Sequence, residues 1–396
     1  MASPKFVLCV ISKRPELLGQ SLPQYVRQMP KDWGLIVFDD DSTLERNRPL
    51  ISKLSKDAPG RKLVHTSGAG FSRAAAAVGQ AIARDVTPLF ENFGGIRNSA
   101  LLLAAAFGAS AVFVDDDTVP LYNFFDRYER LFAKNYLLVP GGFEGHLNLT
   151  SAALLYELGQ VSQDWDSGTA AKIESIVRGV PSTKGSYTMN MFVGGNMGIA
   201  NSLLRQLPFF PTRLRVEDAV FRLMAGERFD GKIYLPRGYP EAYETVPLAE
   251  HRRGGGKEPL LRSQLENELK GSVAAKVIMK LGFGSLERQT VVTDEQLRGM
   301  LKKAAEETWS EFGVQQFQRN IREGIEAAGS KAEALEPKSR EEITAILSVD
   351  KSAAYLPMAE MKKELDRFSF TLKAWPYVMA ALEDEKVKTE VIKAVG

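Results

Sequence analysis

Short apolar runs recur along the first third of the chain, and polar or acidic residues end each of them. Phe6-Val7-Leu8-Cys9-Val10-Ile11 and Leu35-Ile36-Val37-Phe38 are continuous, β-branched and too short for helices, so they predict strands buried on both faces. Ala111-Val112-Phe113-Val114 is a third run of this kind. Between them, Pro15 opens a helical pattern through Leu18, Leu22, Tyr25 and Val26. Gly94-Gly95-Ile96-Arg97-Asn98 leads into an alanine- and leucine-rich helix, Ser99 to Phe107, with Gly108 as its stop. Gly68-Ala69-Gly70 and Gly141-Gly142 read as turns. The alternation predicts an α/β fold, a mostly parallel sheet flanked by helices. Ligands of such sheets sit at the carboxyl ends of the strands. Two acid triplets, Asp39-Asp40-Asp41 and Asp115-Asp116-Asp117, fall at such ends.

Past about residue 255 the pattern changes. Leu261, Leu265, Leu269, Val273, Val277 and Leu281 recur every fourth residue and predict one apolar helix face. Thr293 with Gln296, and Ser339 with Glu342, have the spacing of capping boxes, and Thr293 to Ala328 has helical composition. The division expected is an α/β domain over 1–255 and a helical domain over 256–396. Arg252-Arg253-Gly254-Gly255-Gly256 forms the joint. The helical part would cover an acceptor, join copies into a homo-oligomer, or do both.

Composition narrows the partners. With 51 Lys and Arg against 49 Asp and Glu, the net charge of +2 excludes a nucleic-acid or other polyanion binder as the default. The lone Cys9 lies in an apolar run, which makes it a core thiol and excludes both an internal disulfide and a cysteine metal cluster. The longest uncharged stretch, Asn98 to Val114, is shorter than the ~20 residues of a membrane helix, and Gly108 divides it. No transmembrane or leader segment is read, and a cytoplasmic location is expected. Asn148-Leu149-Thr150 has the form of a glycosylation sequon, which is uninformative without such a leader.

Three adjacent carboxylates repel one another unless a cation shares their space. Mg²⁺ or Mn²⁺, a hard ion that bridges carboxylates to phosphates, is the usual resolution. An isolated triplet is more often an exposed acidic turn, so its companions decide.

Here the sequence resembles the family-2-like glycosyltransferases with the GT-A nucleotide-sugar-binding fold. Ile11-Ser12-Lys13-Arg14-Pro15-Glu16 matches the polar segment after the first strand. Val37-Phe38-Asp39-Asp40-Asp41-Ser42-Thr43 matches the acid-Ser/Thr turn after the second. Gly94-Gly95-Ile96-Arg97-Asn98 matches a Gly-x-x-Arg-Asn element, and Val112-Phe113-Val114-Asp115-Asp116-Asp117 the DXD signature. Phe192-Val193-Gly194-Gly195-Asn196 resembles the Gly-Asn segment beside the acceptor, and Arg215-Val216-Glu217-Asp218 the Glu-Asp motif that starts a helix. His251 resembles a late histidine that some members add to the metal shell. The resemblance covers about residues 5 to 253.

It implies a metal-dependent hexosyltransferase that takes a sugar from a nucleotide-diphosphate sugar. In this pattern Asp39 or Asp40 would meet the base or ribose, Asp115 the ribose or sugar hydroxyls, and Asp117 with His251 the metal, with Asp116 unassigned between them. Arg97 and Arg252 would face the diphosphate. Gly194, Gly195 and Asn196 would line the acceptor, and Asp218, or failing it Glu217, would deprotonate the acceptor hydroxyl of an inverting reaction. A retaining reaction would leave those two acids as acceptor contacts. No Gln-x-x-Arg-Trp motif is found, so a small or soluble hydroxyl acceptor is expected in place of a growing polysaccharide. The soluble synthases of sugar–glycerate solutes have a similar length and helical tail.

Two rivals remain. Asp115-Asp116-Asp117-Thr118-Val119 also matches the nucleophile motif of Mg-dependent haloacid-dehalogenase-type phosphatases, with Asp115 as nucleophile and Asp117 as acid/base. That motif belongs on a first strand, and here two strand–helix units precede it. The other rival is a non-catalytic sugar-nucleotide-binding module.

Overall fold

The structure is a computed structural model that describes residues 3–146, 151–177, 184–188, 194–235, 245–251, 262–288 and 292–395. The apolar runs form the centre of a six-stranded sheet. Its strands are β1 (Phe6–Ser12), β2 (Trp33–Asp39), β3 (Leu63–Ser67), β4 (Ser110–Asp115), β6 (Leu138–Pro140) and β9 (Asn196–Ile199), in the order β3-β2-β1-β4-β9-β6. The first four of that order are parallel; β9 runs against both its neighbours, so the sheet is mixed. A second sheet, ordered β5-β10-β7-β8, joins β5 (Thr118–Pro120), β7 (Gly142–His146), β8 (Lys184–Thr188) and β10 (Leu248–His251).

Side chains alternate across the large sheet, as the pleat requires. Leu8, Val10, Leu35, Val37, Val112 and Val114 pack towards α1 (Pro15–Gln28), α2 (Leu44–Asp57) and α5 (Phe124–Ala133). Val7, Cys9, Ile36, Phe38, Ala111 and Phe113 face the other way, towards α3 (Gly68–Ala81), α4 (Asn92–Phe107) and the helices beyond residue 261. Cys9 is a buried core thiol whose pKa burial pushes up, far from the range of a nucleophile.

Several local features differ from the reading of the sequence. Gly68-Ala69-Gly70 is the first turn of α3, where the Ser67 hydroxyl accepts from Gly70 N. Gly94 and Gly95 lie inside the first turns of α4 because Phe210 and Phe90 backbone fills the space a Cβ would need. The strand β3 has only one strongly apolar pair, Leu63-Val64, because it is an edge strand that closes on polar residues.

The remaining α-helices among the described residues of the α/β part are α6 (Ser151–Val161), α7 (Thr169–Val177), the single turn α8 (Asn201–Leu204) and α9 (Glu217–Arg228). All described elements after residue 261 are helical: α10 (Arg262–Leu281), α11 (Phe283–Arg288), α12 (Asp294–Glu311), α13 (Val314–Ala328), α14 (Pro337–Leu347), α15 (Met358–Ala381) and α16 (Glu385–Val395), with short 3₁₀ turns between. Leu265, Leu269, Val273 and Val277 are the buried face of α10. The Thr293–Gln296 capping box is formed. Ser339 and Glu342 form no such box: Pro337, its φ already helical, starts α14 earlier and leaves Ser339 buried in the first turn. The region 294–328 is two helices, divided at Gly313 in a left-handed conformation.

These helices do not stand apart. α16 packs along α3 and α4, and α13 against α6, where Gly324 lies so close to Ser162 that a Cβ would meet its carbonyl oxygen at 1.9 Å. Trp375, fully buried, donates from Nε1 to Leu204 O at 2.9 Å, and the Phe368 ring packs tilted against Phe210 with centroids 4.7 Å apart. One core therefore runs from the sheet into the C-terminal helices. The expected joint at 252–256 lies outside the described residues.

Candidate functional site

The second acid triplet is the corner at which the chain leaves one sheet for the other: Asp115 ends β4, and β5 begins at Thr118. Strand register fixes its neighbours. Asp115 lies beside Ile11 of β1, and Asp115 N donates to Gly195 O just before β9. Tyr25 of α1 is within 2.9 Å of Thr118 Oγ1, which itself donates to Asp115 O at 2.9 Å, and Ser21 donates to Asp116 O at 2.7 Å. The corner is thus pinned from both sides.

The three carboxyl groups have separate environments. Asp116 is buried and internally satisfied: Ser12 Oγ donates to it at 2.8 Å, and Arg14 Nε and Nη2 grip it, Nε at 3.0 Å. Arg14 Nη2 also lies 3.2 Å from Asp117 Oδ2. Asp115 points the other way, towards Arg97. Burial, and next the charge of Asp117, push its pKa up to about 7 against the opposing pull of Arg97. Burial raises Asp116 as well, opposed by Arg14 and Ser12. Arg14 itself is raised: desolvation works against its charge, but Asp116, Asp117 and Asp115 outweigh it.

Arg97 extends from the second turn of α4 to the N-terminus of α9, where Nη1 donates to Glu217 Oε1 at 2.5 Å. It also lies over the Phe209 ring, 5.7 Å from the centroid. Burial lowers the Arg97 pKa, but the charges of Glu217, Asp218 and Asp115 raise it by more. Glu217 is held up by burial, with Arg97 opposing. Its other oxygen accepts from Val216 N at 3.1 Å, so both oxygens are engaged. Asp218 is oriented by two backbone amides, Gly194 N at 2.8 Å and Ala219 N at 2.7 Å. Gly194 and Gly195 are tight: a Cβ at either would collide with Arg97 or with Asp115.

The structure therefore brings Asp115, Asp116, Asp117, Arg97, Glu217, Asp218, Gly194 and Gly195 together. Asn196 is beside them but buried and committed to the fold: Nδ2 donates to Gly142 O and Pro247 O, and Oδ1 accepts from Tyr128. Asp39 is likewise consumed inside, accepting from Thr43 at 2.6 Å and Asn47 at 2.7 Å and pairing with His65 at 3.0 Å. Asp40 is exposed and accepts from the hydroxyl and amide of Ser42, which hold its pKa low. Arg14 is the participant that sequence reasoning missed as a site residue. Its only signal was its place two residues after a strand end, which many surface arginines share. Arg252 and the Phe192-Val193 part of the glycine segment lie outside the described residues, as does the side chain of His251. The backbone of His251 pairs with Thr118, next to Asp117.

A divalent ion fits this corner in one way. Among the described residues, no three His, Cys, Asp or Glu are grouped to hold a metal by themselves. Mg²⁺ and Mn²⁺ do not need such a cage when phosphates complete the shell. Five carboxyl groups share the corner with two guanidinium groups, and Asp117 already accepts a positive group at 3.2 Å. Asp117 thus offers hard carboxylate oxygens among more carboxyl than guanidinium groups.

No protein-family model matches the chain, and no curated protein matches its sequence. Solved structures similar to it include the mannosyltransferase PcManGT from Pyrobaculum calidifontis in complex with GDP-Man and Mn²⁺. That match has 13% identity and a TM-score of 0.40, and covers 98% of this chain and 88% of that one. S. aureus TarS 1-349 in complex with UDP-GlcNAc aligns with 12% identity and a TM-score of 0.33, covering 94% and 91%. Mouse xyloside xylosyltransferase 1 aligns with 14% identity and a TM-score of 0.27, covering 57% and 75%. Likenesses at this level say nothing by themselves about the chemistry of this chain. Among the described residues, no helix is long and apolar enough to cross a membrane.

Proposed function

We propose that the chain is a metal-dependent glycosyltransferase of the GT-A type that moves a sugar from a nucleotide-diphosphate sugar to a hydroxyl of a small or soluble acceptor. The observation that carries this reading is the meeting of the Asp115–Asp117 corner with the Arg97–Glu217 pair and Asp218 at the carboxyl end of the parallel strands. An acidic corner for an ion, a buried guanidinium for phosphate and an oriented carboxylate are the parts that glycosyl transfer requires.

Asp117 would hold Mn²⁺ or Mg²⁺ with the donor diphosphate, joined by His251, whose backbone pairs with Thr118. The ion would supply charge neutralisation for the departing diphosphate. Arg97 adds a second positive group, kept charged and aimed by Glu217. Asp115, beside Arg97, would meet a hydroxyl of the donor. Asp116 serves the fold and Arg14, not the donor. Of the two acids at the start of α9, Glu217 is engaged by Arg97, so Asp218 takes the role of base in an inverting reaction. With Asp39 and Asn196 committed internally, base contacts fall to the exposed Asp40 and acceptor contacts to Gly194, Gly195 and Asp218.

Incubation with a panel of nucleotide sugars and Mn²⁺, with nucleotide release as the readout, tests this. At least one donor is expected to be turned over only with metal. Turnover of a phosphomonoester with none of the nucleotide sugars bound would instead establish the phosphatase reading of Asp115 and Asp117.

A further inference from the structure

We infer that Arg14 is a positioning residue that occupies the metal's place on Asp117 until an ion displaces it, and so sets how tightly the ion binds. This rests on the glycosyltransferase reading, in which Asp117 is a metal ligand.

The geometry of Arg14 is unequal towards its two partners. Asp116 receives Nε at 3.0 and 3.3 Å from its two oxygens and Nη2 as well, and Ser12 holds the same carboxylate at 2.8 Å. Asp117 meets Nη2 at 3.2 Å. Ser12 Oγ accepts from Arg14 N at 3.2 Å, and Pro15 begins α1 directly afterwards, so the backbone of Arg14 is held in place. The side chain is 31% exposed, against 3% and 1% for the two carboxylates, so the guanidinium lies on the solvent side.

A guanidinium does not lose its proton in a protein, so Arg14 cannot leave Asp117 by titration. It yields the oxygen to a cation that competes for it. A metal ion at the ~2.0–2.1 Å typical of Mg²⁺–oxygen contacts would repel a guanidinium on the same oxygen, and Asp116 keeps the displaced group nearby. The middle acid of the run thereby acquires a purpose: Asp116 is the parking place that lets Arg14 yield Asp117 without being set free.

Binding of Mn²⁺ alone, read from the electron paramagnetic resonance signal of the free ion, tests the exchange, with near-ultraviolet circular dichroism to check folding. Arg14→Gln removes the competitor and is expected to tighten Mn²⁺ binding roughly tenfold, the order expected for one partly screened charge interaction. Arg14→Lys, which keeps the charge but loses the fork, is expected to fall between Arg14→Gln and the natural protein. Adding Asp117→Asn to either variant should abolish the gain. Unchanged or weaker Mn²⁺ binding in folded Arg14→Gln overturns the inference; if that variant does not fold, equal affinity of Arg14→Lys and the natural protein overturns it. A natural protein that binds no Mn²⁺ even with UDP or GDP present overturns the functional reading along with it, whereas tight ternary binding with unaltered Arg14 variants overturns the exchange alone.

Discussion

Gly195 faces the Asp115 carboxylate with no room for a side chain: a Cβ there would lie 1.9 Å from Oδ2. Asp115 N at the same time donates to Gly195 O at 3.1 Å, so the two residues are fixed against each other by backbone and by contact. Gly195→Ala must push the carboxylate off its position. We expect it to cost about 1–3 kcal/mol of stability, as overpacking does, and to remove binding of the nucleotide sugar. Gly19→Ala is the control. Gly19 lies exposed within α1 with nothing near its Cβ position. That change should stabilise by about 0.5–1 kcal/mol. Thermal melting together with donor titration would show whether the two substitutions part in this way.

Gly194 N and Ala219 N donate to separate oxygens of Asp218, so Asp218→Asn keeps an acceptor for one of these amides and cannot take a proton. In an inverting reaction, transfer is expected to fall by at least about 100-fold while donor affinity stays within a factor of about two. Single-turnover transfer and equilibrium binding separate the two effects. Equal loss in both would point to a binding role instead.

Arg97 and Glu217 are buried partners 2.5 Å apart. Removal of either alone leaves a buried charge, with a loss of about 3–5 kcal/mol. The double variant Arg97→Met, Glu217→Gln should recover part of it, with a coupling of about 1–3 kcal/mol in a double-mutant cycle. Additive losses from urea denaturation would show that the pair is not coupled.

The Asp39 carboxyl sits below its ordinary value. Burial would raise it, but hydrogen bonds from His65, Thr43 and Asn47 outweigh that effect. The unfolded chain, with a pKa near 3.9, therefore takes up the proton first as pH falls. The stabilisation is complete above about pH 5 and is lost as pH drops through the folded value. Urea midpoints from pH 6 to 2.5 should fall more steeply for the natural protein than for Asp39→Asn. Parallel curves would contradict this.

The C-terminal helices share the core of the sheet. Trp375→Ala removes a fully buried ring and its bond to Leu204, and should cost about 3–5 kcal/mol. A chain cut near residue 256 exposes the α3 and α4 surfaces that α16 covers. It is expected to lose its cooperative melt, and a sharp transition at the natural temperature would overturn that expectation.

Much of this was present in the sequence. The runs at 6–11, 35–38 and 111–114 had to become buried strands, because no other short element hides every side chain of a continuous apolar stretch. Their acid ends marked the site for the same local reason: the chain becomes polar where burial stops. The Leu265–Val277 periodicity and the Thr293 cap were equally local. What the sequence could not rank was the use of each acid. Asp39 and Asp40 are neighbours in the chain, yet one is locked by His65 from β3 and the other is exposed. Asp116 is held by Arg14 and Ser12, about a hundred residues earlier, whereas Asp117 meets Arg14 at longer range. Glu217 is separated from Asp218 by Arg97, 120 residues away. Charge and burial at these atoms depend on groups that only the closed fold brings within a few ångströms, and electrostatic interactions are set by distance in space. The sequence determined where the strands end and that acids gather there; the tertiary structure decided which acid is paired with a guanidinium, which is spent on the fold and which is held by backbone amides.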